Sequence, residues 1–156
     1  MVYNVLDICR FVINYSNEKE YGVSNLKLQK LLYFIQAFFL ITANKKCFSQ
    51  RIEAWEFGPV VPEAYREYKC FGAADIPPII YYYVIEGEAL KKLKYNENTI
   101  KEYDRNLVSE VIEEFKDYSA TDLVRLTHGQ DPWKDAYQPY ENNVITEDAL
   151  RRYFNE

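Results

Sequence analysis

The side chains best suited to covalent chemistry in this sequence are one imidazole and three thiols: His128, within LTHGQDPW, and Cys9, Cys47 and Cys70. An imidazole can deprotonate a neighbouring thiol, so Cys47 or Cys70 with His128 would make a Cys/His hydrolase. Such an enzyme also needs an oxyanion-binding loop, and no glycine-rich loop or nucleophile elbow accompanies any of the cysteines. The competing role for His128 is structural, as an imidazole hydrogen-bonded near a helix end. A metal centre needs several converging His, Cys or carboxylate ligands, and a single histidine without CxxC spacing supplies too few. The five glycines are scattered and offer no backbone cradle for a phosphate, so neither cofactor nor metal is expected.

Non-covalent chemistry has better material. In EAWEFGPVVPEAY, residues 53–65, the aromatics Trp55, Phe57 and Tyr65 flank a rigid Gly58-Pro59 corner. Large rigid aromatics concentrate binding energy at interface centres, although a tight corner with Trp55 folded onto the core uses the same residues. Glu56 and Arg66 lie beside them and are suited to orienting a partner. Lys30 falls among apolar neighbours, so its stem either snorkels past them or its ammonium meets a carboxylate of a partner. The candidate partner-binding set is therefore Lys30, Tyr33, Trp55, Glu56, Tyr65 and Arg66. The carboxylates of EVIEEF, residues 110–115, read as a solvated helix face.

These residues have to be positioned mostly by helices. Val5, Leu6, Ile8, Cys9, Val12 and Ile13 recur at helical spacing, and SNEKEYG ends that helix. Ser24 can cap the next, in which Leu28, Leu31, Leu32, Ile35 and Phe39 fill one face while Tyr33, Ala37, Leu40 and Ile41 cover the other. A helix apolar on both sides must be central, and Gln29, Lys30 and Gln36 are its polar exceptions. Arg51 to Phe57 reads as a short strand ended by Gly58-Pro59, and Pro62 with Glu63 starts a helix running to about Phe71, with Gly72 as its stop. IPPIIYYYVIEGE is β-branched and aromatic, which predicts a strand, paired with the Arg51–Phe57 strand. Leu107, Val108, Val111, Ile112 and Phe115 mark another helix. Ser119 with Asp122 forms a capping box, Asp131-Pro132 starts a further turn, and Thr146 with Glu147 and Asp148 opens a last helix. The segments around Pro77 and Tyr95 read as loops within one domain spanning residues 1–156.

Composition narrows the function classes. An apolar fraction of 48% supports a buried core in 156 residues. A net charge of -5 disfavours long-range attraction to nucleic acid, and no basic recognition helix argues for an operator-binding repressor. The apolar runs are split by Gln36 and fall short of the ~18 residues a membrane span needs. The start, MVYNVLDICRFVINY, lacks a basic leader followed by a long apolar stretch, so secretion is not expected. An odd number of cysteines suits a reducing cytoplasm better than a disulfide framework.

Leu28, Gln29, Lys30, Leu31, Leu32 and Tyr33, then Ala54, Trp55, Gly58, Pro59, Val60, Pro62 and Tyr65, then Leu126, Thr127, His128, Pro132 and Trp133 form an ordered series across most of the chain. In that series the sequence resembles the SocA-like antitoxin domain, also called the Panacea domain, found in phage-associated GepA-like proteins. The resemblance implies a mainly α fold around a central buried helix with a small antiparallel β element. It also implies a non-enzymatic role, neutralising a toxin encoded nearby, either by direct binding or as an adaptor to an ATP-dependent protease. The segment from Ile76 to Tyr103 matches nothing in that pattern.

Overall fold

The computed structural model describes residues 1–155, and a single helix runs through its middle. The first helix, α1 (Val5–Glu18), is capped by Asn4. The central one, α2 (Asn25–Thr42), starts at Ser24, whose hydroxyl accepts from the Lys27 amide. Every residue of α2 from Leu28 to Ala37 is buried, as a helix without a polar face demands. Around it pack α1, α3 (Pro62–Tyr68), α4 (Glu102–Glu114), α5 (Ala120–His128) and α7 (Glu147–Phe154), while the short α6 (Asp131–Ala136) lies against α5 and α7.

The cap residues explain where these helices begin. Pro62 stands in the first turn of α3, and a single-turn 3-10 helix, Lys69–Phe71, completes that segment before Gly72. Ser119 and Asp122 exchange bonds with each other's backbone amides at 3.0 and 2.9 Å, closing the capping box of α5. Thr146 caps α7, with Glu147 and Asp148 at its positive end and Arg151 and Arg152 near its negative end.

Among the described residues five short strands complete the fold: β1 (Ile52–Trp55), β2 (Gly58–Val60), β3 (Tyr81–Glu86), β4 (Ala89–Lys94) and β5 (Val144–Ile145). An antiparallel sheet has the order β2-β1-β5, and β3 with β4 forms a separate antiparallel hairpin. The fold is thus mainly α with a small antiparallel β element.

Two strand expectations need correction. Gly58-Pro59 does not end a strand but begins β2, because the chain turns back over Glu56-Phe57 and pairs Trp55 with Gly58. The IPPIIYYYVIEGE strand does not pair with β1. Its partner is β4, ALKKLK, a segment rich in lysine that carries little strand propensity of its own. A two-residue turn at Gly87-Glu88, with Gly87 at φ +62°, brings β4 back along β3 and imposes the pairing.

Candidate functional site

The β1–β2 turn carries Trp55, Glu56 and Phe57, and three polar side chains of neighbouring helices fix where it stands. Lys30 is fully buried, and its ammonium donates to the Pro59 carbonyl at 3.0 Å. Gln29 accepts from the Val61 amide at 3.0 Å and donates to Asn25 at 2.9 Å, and Asn25 in turn donates to the Tyr65 carbonyl at 3.1 Å. Nε2 of His128 donates to the Glu56 carbonyl at 2.9 Å, an acceptor that requires that nitrogen to carry the proton. The bonds to Pro59, Val61 and Glu56 each satisfy a backbone group in the turn, in β2 or just beyond it.

Gly58 is required by the same arrangement. Its φ of +107° is strained for any L side chain, and a Cβ there would stand 2.7 Å from Cε of Lys30 and 3.0 Å from Oγ1 of Thr127. Thr127 keeps its hydroxyl turned to its own helix, donating to Leu123 and Val124 carbonyls. Backbone, ammonium stem and hydroxyl meet in the space a methyl group would occupy.

A stack of aromatic rings supports the turn from below. The rings of His128 and Trp133 lie parallel at 4.0 Å, and those of Trp133 and Tyr137 at 4.7 Å. Trp133 donates its indole N–H to the Trp55 carbonyl at 2.7 Å. On β1, the Glu53 carboxylate accepts from the Trp55 indole at 2.9 Å and from Nε of Arg51 at 2.6 Å, which accounts for a carboxylate only 3% exposed.

The outer surface is aromatic. The Trp55 ring meets Tyr65 edge to face at 5.1 Å, and Phe57, at the tip, is 62% exposed. A groove of about 450 Å³ runs along this face, lined by Leu26, Trp55, Phe57, Tyr65 and Lys69 among others. Trp55 and Glu56 also border a second groove of about 370 Å³ towards Tyr137 and Tyr140, so the aromatic ridge of Trp55, Phe57 and Tyr65 has a concavity on either side of Trp55. A rigid aromatic surface beside an apolar groove is suited to receiving another polypeptide.

The structure divides the six candidate partner-binding residues. Trp55 and Tyr65 are half-buried and in contact, with Glu56 and Arg66 exposed beside them on the turn and on α3. Lys30 and Tyr33 are withdrawn from any outer surface. The Tyr33 hydroxyl is spent on Gln130 at 2.8 Å, and burial pushes its phenol up while it pushes the Lys30 ammonium down to about 7. From those positions neither can touch a docked protein, and both act by holding the scaffold. Of the indirect supports, Trp133 falls within the ordered series of the sequence, whereas Tyr137 and the buried Glu53 carry no sequence signal that distinguishes them.

For the Cys/His alternative, Cys47 is fully buried and burial raises its thiol well above the ordinary value, the wrong direction for a nucleophile. His128 is committed to Glu56 and Trp133, as a structural histidine at the end of α5. Among the described residues no cluster of three or more His, Cys, Asp or Glu side chains converges as a metal site, and no helix is long and apolar enough to cross a membrane.

Residues 28–134, which include α2 from Leu28 on, the β1–β2 turn, His128 and Trp133, match the family described as antitoxin SocA-like, Panacea domain. Antitoxin SocA of Caulobacter vibrioides is 34% identical over 113 residues, an alignment covering 71% of this chain and 58% of that relative's length. No solved structure matches. With two thirds of its length inside the family match, and a relative 34% identical over 113 residues, the chain belongs to the SocA-like antitoxin family bearing the Panacea domain.

Proposed function

We propose that this protein is the antitoxin of a toxin–antitoxin system and neutralises its toxin by direct binding through the ridge formed by Trp55, Phe57 and Tyr65. The observation that carries this reading is the contrast between a tip residue left 62% exposed and a base fixed by the bonds of Lys30, Gln29, His128 and Trp133, those of Lys30 and Gln29 buried. An exposed aromatic on a pre-ordered turn loses little conformational freedom on binding, so most of its burial appears as affinity. Glu56 and Arg66 flank the ridge and orient the partner. The partner is a toxin protein encoded nearby, and with three free thiols and no disulfide the complex is suited to the reducing cytoplasm.

The test is co-expression with the product of the adjacent gene, scoring growth and co-purification. Phe57→Asp alters only the exposed tip and is expected to reduce co-purification at least tenfold and abolish growth rescue, with the helical circular dichroism unchanged. Trp55→Ala with Tyr65→Ala is expected to act in the same direction. Full rescue by Phe57→Asp and by the double variant, each folded, would remove this surface from the mechanism. A pulse-chase of the toxin separates masking from delivery to an ATP-dependent protease: masking leaves its half-life unchanged, delivery shortens it.

A further inference from the structure

The β3–β4 hairpin is the part of the molecule that the antitoxin surface leaves unexplained. It is held at one end only. Asn14 both donates to and accepts from the Ile79 backbone, at 2.9 and 2.7 Å, and the Arg10 guanidinium sits 3.6 Å over the Tyr82 ring. Beyond those anchors the strands extend without a third neighbour, and among the described residues neither outer edge is bonded to other backbone.

The pairing register sorts the side chains. Tyr81, Tyr83 and Ile85 stand opposite Lys94, Lys92 and Leu90, so these six share one face. That face is open: Tyr81 is 52%, Tyr83 59%, Ile85 82% and Leu90 68% exposed. Soluble proteins rarely leave such a contiguous apolar face bare unless something covers it. The Tyr95 amide bonds to the Ile80 carbonyl, and from there the antiparallel ladder alternates. The N–H and C=O groups of Tyr81, Tyr83 and Ile85 therefore point away from β4, towards a free edge.

Charge selects the occupant. Lys91, on the opposite face, is paired with Glu86 at 3.5 Å, whereas no carboxylate shares the open face with Lys92 and Lys94. The Lys92 ammonium leans across onto the Tyr81 ring at 4.3 Å, which carries positive charge towards the edge of β3. A second copy of this chain would set lysines against lysines. A nucleic acid has no peptide backbone with which to continue the ladder along the free edge of β3, whereas an extended peptide does. Lysines also guard the edge of β4 against strand addition, while the edge of β3 carries no such guard.

We propose that the open face of this hairpin is a docking surface for an extended, acidic and apolar segment of a partner protein, added as a strand along the free edge of β3. Main-chain bonds to Tyr81, Tyr83 and Ile85 hold the segment, apolar side chains cover the tyrosines, and carboxylates meet Lys92 and Lys94. This surface is built from different elements than the Trp55 ridge, so its failure would leave that reading untouched.

The test uses the whole protein and a fluorescent peptide of alternating valine and glutamate, followed by anisotropy, with a valine–lysine peptide and a single-stranded oligonucleotide as competing probes. Saturable binding of the glutamate peptide that weakens with added salt is expected. Lys92→Glu with Lys94→Glu should weaken it at least tenfold, and Tyr83→Ser should weaken it as well. All three positions are exposed, and retained circular dichroism checks the fold. The proposal is overturned if the glutamate peptide does not bind, if the lysine peptide binds equally, or if the oligonucleotide is the tighter ligand. Sedimentation showing a dimer that Tyr83→Ser dissolves would likewise overturn it, by assigning the face to a second copy.

Discussion

At the scale of single residues, Lys30 is the unusual group. Among the described residues its ammonium has no carboxylate beside it and donates to the Pro59 carbonyl, and burial lowers it from an ordinary 10.5 to about 7. Between those two pH values the unfolded chain binds a proton that the folded chain does not. Stability from this group therefore rises with pH across the window, and the full penalty is present below about 7. Lys30→Met removes that dependence. Urea melts of both proteins between pH 7 and 10 should show the wild type gaining on the variant as pH rises, by up to about 1.4 kcal/mol per pH unit. Parallel curves would mean that Lys30 keeps an ordinary affinity for its proton. The sequence marked Lys30 as out of place among apolar neighbours, but it left open whether the ammonium faced a partner or the interior. The answer depends on the carbonyl of Pro59, 29 residues away, which helical periodicity cannot locate.

At the scale of elements, α2 works through its polar exceptions. Gln36 accepts from the Cys47 amide at 2.8 Å and the Phe48 amide at 3.2 Å and donates to the Phe48 carbonyl at 2.9 Å, so one side chain fastens the loop that leads into β1. Gln29, two turns earlier, does the same for β2 and α3 through Val61 and Asn25. Gln36→Leu keeps the volume but strands three buried backbone groups. The expected cost is roughly 3 kcal/mol or more, read as a lower urea midpoint at unchanged slope. A change within half of that would show that the loop finds other partners. Helix starts were legible here, since Ser24, Ser119 and Thr146 cap through bonds to residues three positions on. Strand pairing is less so: the residues of β3 predict a strand and those of its partner β4 do not, because ALKKLK pairs by virtue of the turn before it and not of its own residues.

At the scale of the whole molecule, the core and the hairpin are separable. The buried cluster passes from Ile76 to Ile100 without drawing a fully buried residue from between them, so β3 and β4 decorate a core that closes beneath them. Replacing residues 81–94 by a short glycine–serine linker removes the Arg10–Tyr82 contact, worth about 1–2 kcal/mol. Thermal unfolding should stay cooperative, with the midpoint lowered by no more than about 8 °C. Loss of a single transition would place the hairpin within the folding unit. Direct sequence reading reached the central helix, the caps, the helical class and the aromatic cluster around Gly58-Pro59, because each is written in neighbours a few positions apart. Only the tertiary structure decided that Lys30 and Tyr33 turn inward while Trp55, Phe57 and Tyr65 form the outer ridge. It alone also showed that His128 and Trp133 support the turn from more than 70 residues away. Those outcomes follow from which carbonyls and rings the packed helices bring within bonding distance, and local periodicity holds no record of that.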